Sequence, residues 1–226
     1  MIRILDISFN KKIFVLLFFP ILGFLTLQIS SISSSILTNN EMEKLNKYTK
    51  LSSVYSELVH ELQKERGMTA GFLGSKGNKF SSKLPSQRKQ TSTKVEKKSV
   101  YWQKNTFYNT QVQQLNNDIN QRITMLAKIR NRVDNFSIPV SEALAFYTNT
   151  NELLLSVSTI ITKISSHAEI TKETIAYYNF LQGKERAGIE RAVLTSTFAS
   201  GSFSQGMYRK FIQLVSEQNT YFDNFN

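Results

Sequence analysis

Leu62-Gln63-Lys64-Glu65-Arg66-Gly67-Met68-Thr69-Ala70-Gly71-Phe72-Leu73 sets a Lys-Glu-Arg cluster into what otherwise reads as a core-facing helix. Upstream, Leu51, Tyr55, Leu58 and Leu62 follow helical steps of three and four, and Thr69 and Phe72 continue them. The pattern recurs at Leu181-Gln182-Gly183-Lys184-Glu185-Arg186-Ala187-Gly188-Ile189-Glu190-Arg191-Ala192. A charge in a core stripe is costly unless something pairs it, so both clusters read as parts of a site.

Working outward, the remaining elements are also helical. A polar helix is expected from Leu84–Gln87 toward Tyr108, and a clearer one carries Leu115, Ile119, Ile123, Leu126, Ile129 and Val133. Ser137-Ile138-Pro139 ends it, and Ser141 is placed to cap another helix that reaches about Ile164. Further helices are expected from about Ile170 to Ala199 and from Gln205 to about Phe225. No run alternates with period two, so the fold class is all-α, an antiparallel helical bundle.

The chain has 226 residues, enough for one domain with a real core plus an appendage. With no cysteine, disulfides, thiolate metal sites and cysteine nucleophiles are excluded. Two histidines, His60 and His167, are too few for a histidine-built metal site, and each reads as a surface or satisfied residue. No nucleophile–base pair, metal set, cofactor motif or phosphate loop can be assembled, so the chain does not read as an enzyme. The net charge of +11 points to an anionic partner. Without an RNA-binding aromatic signature or zinc-finger spacing, nucleic acid is not the expected one.

Ile13 to Leu27 is free of charge, and its apolar character tails off toward Leu37. Arg3, Lys11 and Lys12 precede it, which sets the N-terminus in the cytoplasm if the segment spans a bilayer. A cleaved signal peptide competes with an uncleaved anchor, and the missing Ala-x-Ala-like site favours the anchor. The expected organisation is a cytoplasmic N-terminus over 1–12, a transmembrane helix over 13–37 and an extracytoplasmic sensor domain over 39–226.

Helical phase locates the charges. Arg66 falls about 60° from the centre of its apolar stripe, Arg191 about 80° from its own and Arg186 about 140°. Arg66 and Arg191 are therefore expected inward, with Arg186 at the surface. Gly67, Ala70 and Gly71 on one helix, with Ala187, Gly188 and Ala192 on the other, allow close backbone approach. Two facing guanidiniums would repel unless an anion sat between them, and a planar oxyanion suits their fixed fork of donors. Two plainer readings stay open: a solvated face, or a structural ion-pair layer in which Glu65 and Glu190 neutralise the arginines.

Glu57 to Phe80, ELVHELQKERGMTAGFLGSKGNKF, resembles the opening signature of the nitrate- and nitrite-sensing (NIT) domain. Lys184 to Phe203, KERAGIERAVLTSTFASGSF, is similar to that family's second signature, and the tail from Tyr208 to Phe225 is similar too. The resemblance covers roughly Leu51 to Phe225, although the middle matches only in helical character. It implies two stacked four-helix bundles, with nitrate or nitrite held by one arginine from each signature helix. Carried over by motif, those are Arg66 and Arg191. The residues around them, Glu65, Gly67, Thr69, Ala70, Gly188 and Thr195, are the expected supporting positions. Arg186 departs from the family pattern, which often has a small residue there.

The wording of the first motif is most similar to chemoreceptors. The resemblance then implies the homodimeric periplasmic sensor of a receptor in the bacterial inner membrane, with a cytoplasmic signalling module beyond this chain. The rival expectation is a membrane-anchored helical module whose basic surface docks an acidic partner or anionic lipid, without a small-anion site.

Overall fold

The computed structural model describes residues 8–165 and 168–225, all of its regular structure helical. His167 and residues 1–7, with Arg3, lie outside the described residues. The helices are α1 (Phe9–Gly74), α2 (Leu84–Lys104), α3 (Thr110–Asp134), α4 (Val140–Leu155), α5 (Val157–Ile164), α6 (Ala168–Ser200) and α7 (Met207–Asp223). The chain divides into two compact units, Met1–Asn46 and Lys47–Asn226.

In the first unit the described residues from Phe9 onward are helical, and the apolar side chains Phe14, Leu16, Phe19, Leu22 and Phe24 are exposed. The most apolar stretch of α1 has a mean hydropathy of 2.3 and is long enough to cross a membrane by length and composition only. A signal sequence passes the same test.

The second unit is the helical bundle. Leu51, Tyr55, Leu58 and Leu62 of α1 are buried in one core with Ile119, Leu126 and Val133 of α3. Tyr147 and Leu154 of α4, Ile161 of α5 and Leu181 of α6 complete it. Burying a Leu or Ile side chain is worth about 1.5–3 kcal/mol, so this stripe supplies much of the drive to fold. A smaller core joins Ile189 and Val193 of α6 to Leu214 of α7. Helix α6 therefore buries two faces, one toward α4 and α5 and one toward α7.

Several boundaries differ from the sequence expectations for local reasons. Helix α2 stops at Lys104, and Asn105 is extended (φ −128°, ψ 139°). The cap of α4 is Pro139, with no side-chain cap bond, and Ser141 lies inside the first turn. The expected single helix to Ile164 is divided at Ser156. Gly206 precedes α7 at φ +78°, a left-handed conformation that favours glycine.

Candidate functional site

The first Lys-Glu-Arg cluster divides its charges between two flanks of α1. Successive helical residues point about 100° apart, so Glu65 and Arg66 face different neighbours. Both are fully buried.

Glu65 faces α3. Arg130 grips its carboxylate with two parallel bonds, Nε to Oε1 and Nη2 to Oε2, each 2.8 Å. The Tyr147 hydroxyl of α4 donates to Glu65 Oε1 at 2.9 Å. Burial first, then the adjacent Glu65 carboxylate, pushes the Tyr147 phenol well above the usual tyrosine range, so it stays a donor.

Arg66 faces α6 and α4. Its Nη1 donates to Glu185 Oε1 of α6 and to Thr148 Oγ1 of α4, the latter at 3.0 Å. Its Nη2 lies 3.4 Å from Glu185 Oε2, while Nε has no hydrogen-bond partner among the described residues. Glu185 is fully buried as well, and it accepts two further sets of donors. Gln63 Nε2 of α1 reaches Oε2 at 2.6 Å, and Asn151 Nδ2 of α4 lies 3.3 and 3.4 Å from the two oxygens. A planar oxyanion is thus ringed by N–H donors from two helices, inside the protein.

Small residues make this possible. A Cβ at Gly188 would stand 2.8 Å from Arg66 Nη2, so only a glycine leaves the guanidinium its present place. Ala70 and Ala192 are fully buried together with Leu144 of α4, and a Cβ at Gly71 would lie 3.0 Å from Thr195 Cγ2. Helices α1 and α6 therefore approach closely along Ala70–Gly71 and Gly188–Thr195. Gly67 has open space around it, and Thr69 is buried.

The arginines of the second cluster are arranged differently from the helical-phase expectation. Arg191 is exposed, and its guanidinium makes no hydrogen bond or ion pair among the described residues. Arg186, expected at the surface, is covered by α7. Its Nε donates to Glu217 at 2.6 Å, its Nη1 lies 3.5 Å from Glu152 of α4, and its guanidinium sits over the Tyr221 ring at 5.3 Å. Glu190 also faces α7, where Gln218 donates to it at 2.9 Å. The acid that neutralises Arg66 is therefore Glu185, not Glu65 or Glu190. The sequence reading missed Gln63, Thr148, Asn151 and Arg130 as contributors. Gln63 and Glu185 stand inside the quoted motifs, whereas α4 offered no motif at all.

Residues 57–226 match the family described as nitrate and nitrite sensing. The "Nitrate regulatory protein" of Klebsiella oxytoca is 31% identical over 103 residues, which are 46% of this chain and 26% of that protein. The solved structure of the NasR transcription antiterminator superposes with a TM-score of 0.77 at 24% identity, covering 83% of this chain and 51% of that one. The chain thus spans about a quarter and about half of these relatives, and the structural likeness speaks for the fold. Because the family match covers most of its length, the chain belongs to the nitrate- and nitrite-sensing family.

The comparisons correct the receptor assignment. The relatives are a nitrate regulatory protein and a transcription antiterminator, not chemotaxis receptors. The transmembrane chemoreceptor, its periplasmic sensor and its inner-membrane location are therefore withdrawn, as are the membrane as partner and the membrane-anchored docking module. The apolar stretch of α1 does not rescue them, since its length and composition alone decide nothing. The exclusion of nucleic acid is withdrawn as well, because one relative acts as a transcription antiterminator.

Proposed function

We propose that this member of the nitrate- and nitrite-sensing family is the ligand-binding module of a regulatory protein, with Arg66 as the principal anion-binding group. The observation that carries the reading is the buried fork at Arg66, which already holds a planar oxyanion, the Glu185 carboxylate, between helices. Nitrate and nitrite have the same planar shape and delocalised charge, and a desolvated guanidinium bonds such groups strongly. The unused Nε of Arg66 leaves one donor available to a further oxygen.

Arg191 supplies the second positive charge in this reading. It lies on α6 between Gly188, which abuts Arg66, and Thr195, which meets Gly71 of α1. Its charge is felt at His60 of α1, where burial first and neighbouring cations after it hold the imidazole below its usual pKa. Ala70, Gly188 and Thr195 keep α1 and α6 close enough for both arginines to serve one ligand, while Glu65, Gly67 and Thr69 support the site from α1 itself. Anion binding draws the helices together, and a shift of α6 passes to α7 through Arg186 and Glu217. The module works as a homodimer in this reading, which light scattering checks.

The test is thermal unfolding of the full chain in sodium nitrate, sodium nitrite and sodium chloride at matched ionic strength. A midpoint raised by nitrate or nitrite beyond chloride, and lost in Arg66→Ala and Arg191→Ala, supports a native-state anion site. Equal shifts in all three salts leave only screening of a basic surface, and the reading fails.

A further inference from the structure

Glu185 is the residue whose surroundings the anion-sensing reading does not explain. A sensor arginine is expected to be open to its ligand, yet Arg66 is closed off by a carboxylate that is itself fully buried. That carboxylate is more fully ligated than a counter-ion needs to be. Besides Arg66, it takes a 2.6 Å bond from Gln63 and two longer ones from Asn151. An ion pair requires one partner, whereas this shell of guanidinium and amide donors would also suit a small planar oxyanion.

The neighbouring Glu65 supplies a contrast within the same motif. Its carboxylate meets Arg130 through two well-aligned 2.8 Å bonds and carries a tyrosine donor at 2.9 Å. That is the geometry of a permanent bidentate pair. Arg66 instead spreads its donors: one amino group serves both Glu185 and Thr148, the other is stretched to 3.4 Å, and Nε serves nothing. Of the two guanidiniums, that of Arg66 is the less completely used by its carboxylate, and it is the one that a better-fitting anion can take over.

We propose that the Glu185 carboxylate is a tethered stand-in for the ligand. It occupies the anion subsite when no nitrate or nitrite is bound, and the arriving anion must displace it. The inference rests on the nitrate- and nitrite-sensing reading and adds its regulation. Gln63 and Asn151 become anion-coordinating residues, because their amides already point at an oxyanion in that place. Two anions cannot share one buried guanidinium without strong repulsion, so binding expels Glu185 and moves the segment of α6 that carries it. Arg186 is the next residue and bonds Glu217 of α7, so the expulsion reaches α7 in one step.

A stand-in lowers apparent affinity by the fraction of molecules whose site it occupies, and that gives the test. Nitrate binding to the full-length wild type, Glu185→Gln and Glu185→Ala is measured by calorimetric titration and by thermal midpoint, with chloride as control. Glu185→Gln keeps the shape without the charge. Both variants are expected to bind nitrate about tenfold or more tightly than wild type, because the competing population is gone. A variant that is unfolded in chloride and folds in nitrate gives the same answer, since the anion then takes the carboxylate's place.

Wild-type binding that is merely equalled or weakened in both variants overturns the stand-in while leaving the sensing reading intact. Variants that stay unfolded in both salts overturn it too, because nitrate then cannot replace the carboxylate. No nitrate binding in the wild type or in either folded variant removes the sensing reading and this inference together.

Discussion

Gly188 of α6 and Arg66 of α1 are in such close contact that a single methyl group would disturb them: a Cβ at Gly188 would stand 2.8 Å from Arg66 Nη2. Glycine inside a helix is about 1 kcal/mol less favourable than alanine, and here that cost secures room for a buried guanidinium. Gly188→Ala should keep the helical circular dichroism while lowering the midpoint in chloride, since the displaced guanidinium weakens the buried pair with Glu185. It should lose most of the nitrate-specific stabilisation, because the Arg66 guanidinium is displaced from its present place beside Glu185 and Thr148. Full retention of that stabilisation would show that the guanidinium position does not matter to binding.

The Arg66–Glu185 pair should behave as a buried ion pair in stability measurements. Removing one partner strands a charge, so Arg66→Ala in chloride should cost about 3–5 kcal/mol in denaturant unfolding. The joint change Arg66→Leu with Glu185→Leu should be milder than Arg66→Ala, because no charge is left unpaired. A single variant as stable as wild type would contradict the burial of the pair.

Lys98 of α2 offers a pH signature. It is buried with its amine on Asn120 and over the Tyr55 ring at 5.8 Å, and burial lowers its pKa from 10.5 to about 8. Between those values the unfolded chain binds the proton that the folded chain has released, so stability from this group rises with pH across that window. Below about pH 8 both states are protonated and the burial penalty is constant. The difference in unfolding free energy between wild type and Lys98→Met should therefore move in favour of wild type from pH 8 to 10. A pH-independent difference would mean that the ammonium is not desolvated.

Gly71 of α1 packs against Phe80 of the loop that follows the helix. A Cβ there would come within 2.4 Å of the Phe80 ring and 3.0 Å of Thr195. Overpacking of this kind costs about 1–3 kcal/mol, which outweighs the helix-propensity gain, so Gly71→Ala should lower the thermal midpoint by several degrees.

Much of this arrangement could be read from the chain itself. The steps of Leu51, Tyr55, Leu58 and Leu62 placed α1 in the core, and the Lys-Glu-Arg clusters pointed to the two helices that meet at Arg66. Phase failed on α6 because that helix buries two faces. A single stripe drawn through it ignored the side covered by α7, where Arg186 finds Glu217 and Tyr221. Glu185 stands within the second Lys-Glu-Arg cluster, yet pairing across helices depends on which faces meet, and periodicity does not reveal that. Thr148 and Asn151 come from α4, whose sequence gives no motif, and only the packing brings them to the site. The apolar N-terminal run, in turn, reads the same for an anchor and for a leader, so composition could not support the receptor it suggested.

The most direct measurement is a crystal structure of the full chain grown in sodium nitrate, with a chloride-grown crystal as reference. The expected result is a planar anion within hydrogen-bond distance of Arg66, Gln63 and Asn151, with the Glu185 carboxylate withdrawn from them. A Glu185 carboxylate that stays on Arg66 while nitrate binds elsewhere, or nowhere, would contradict it.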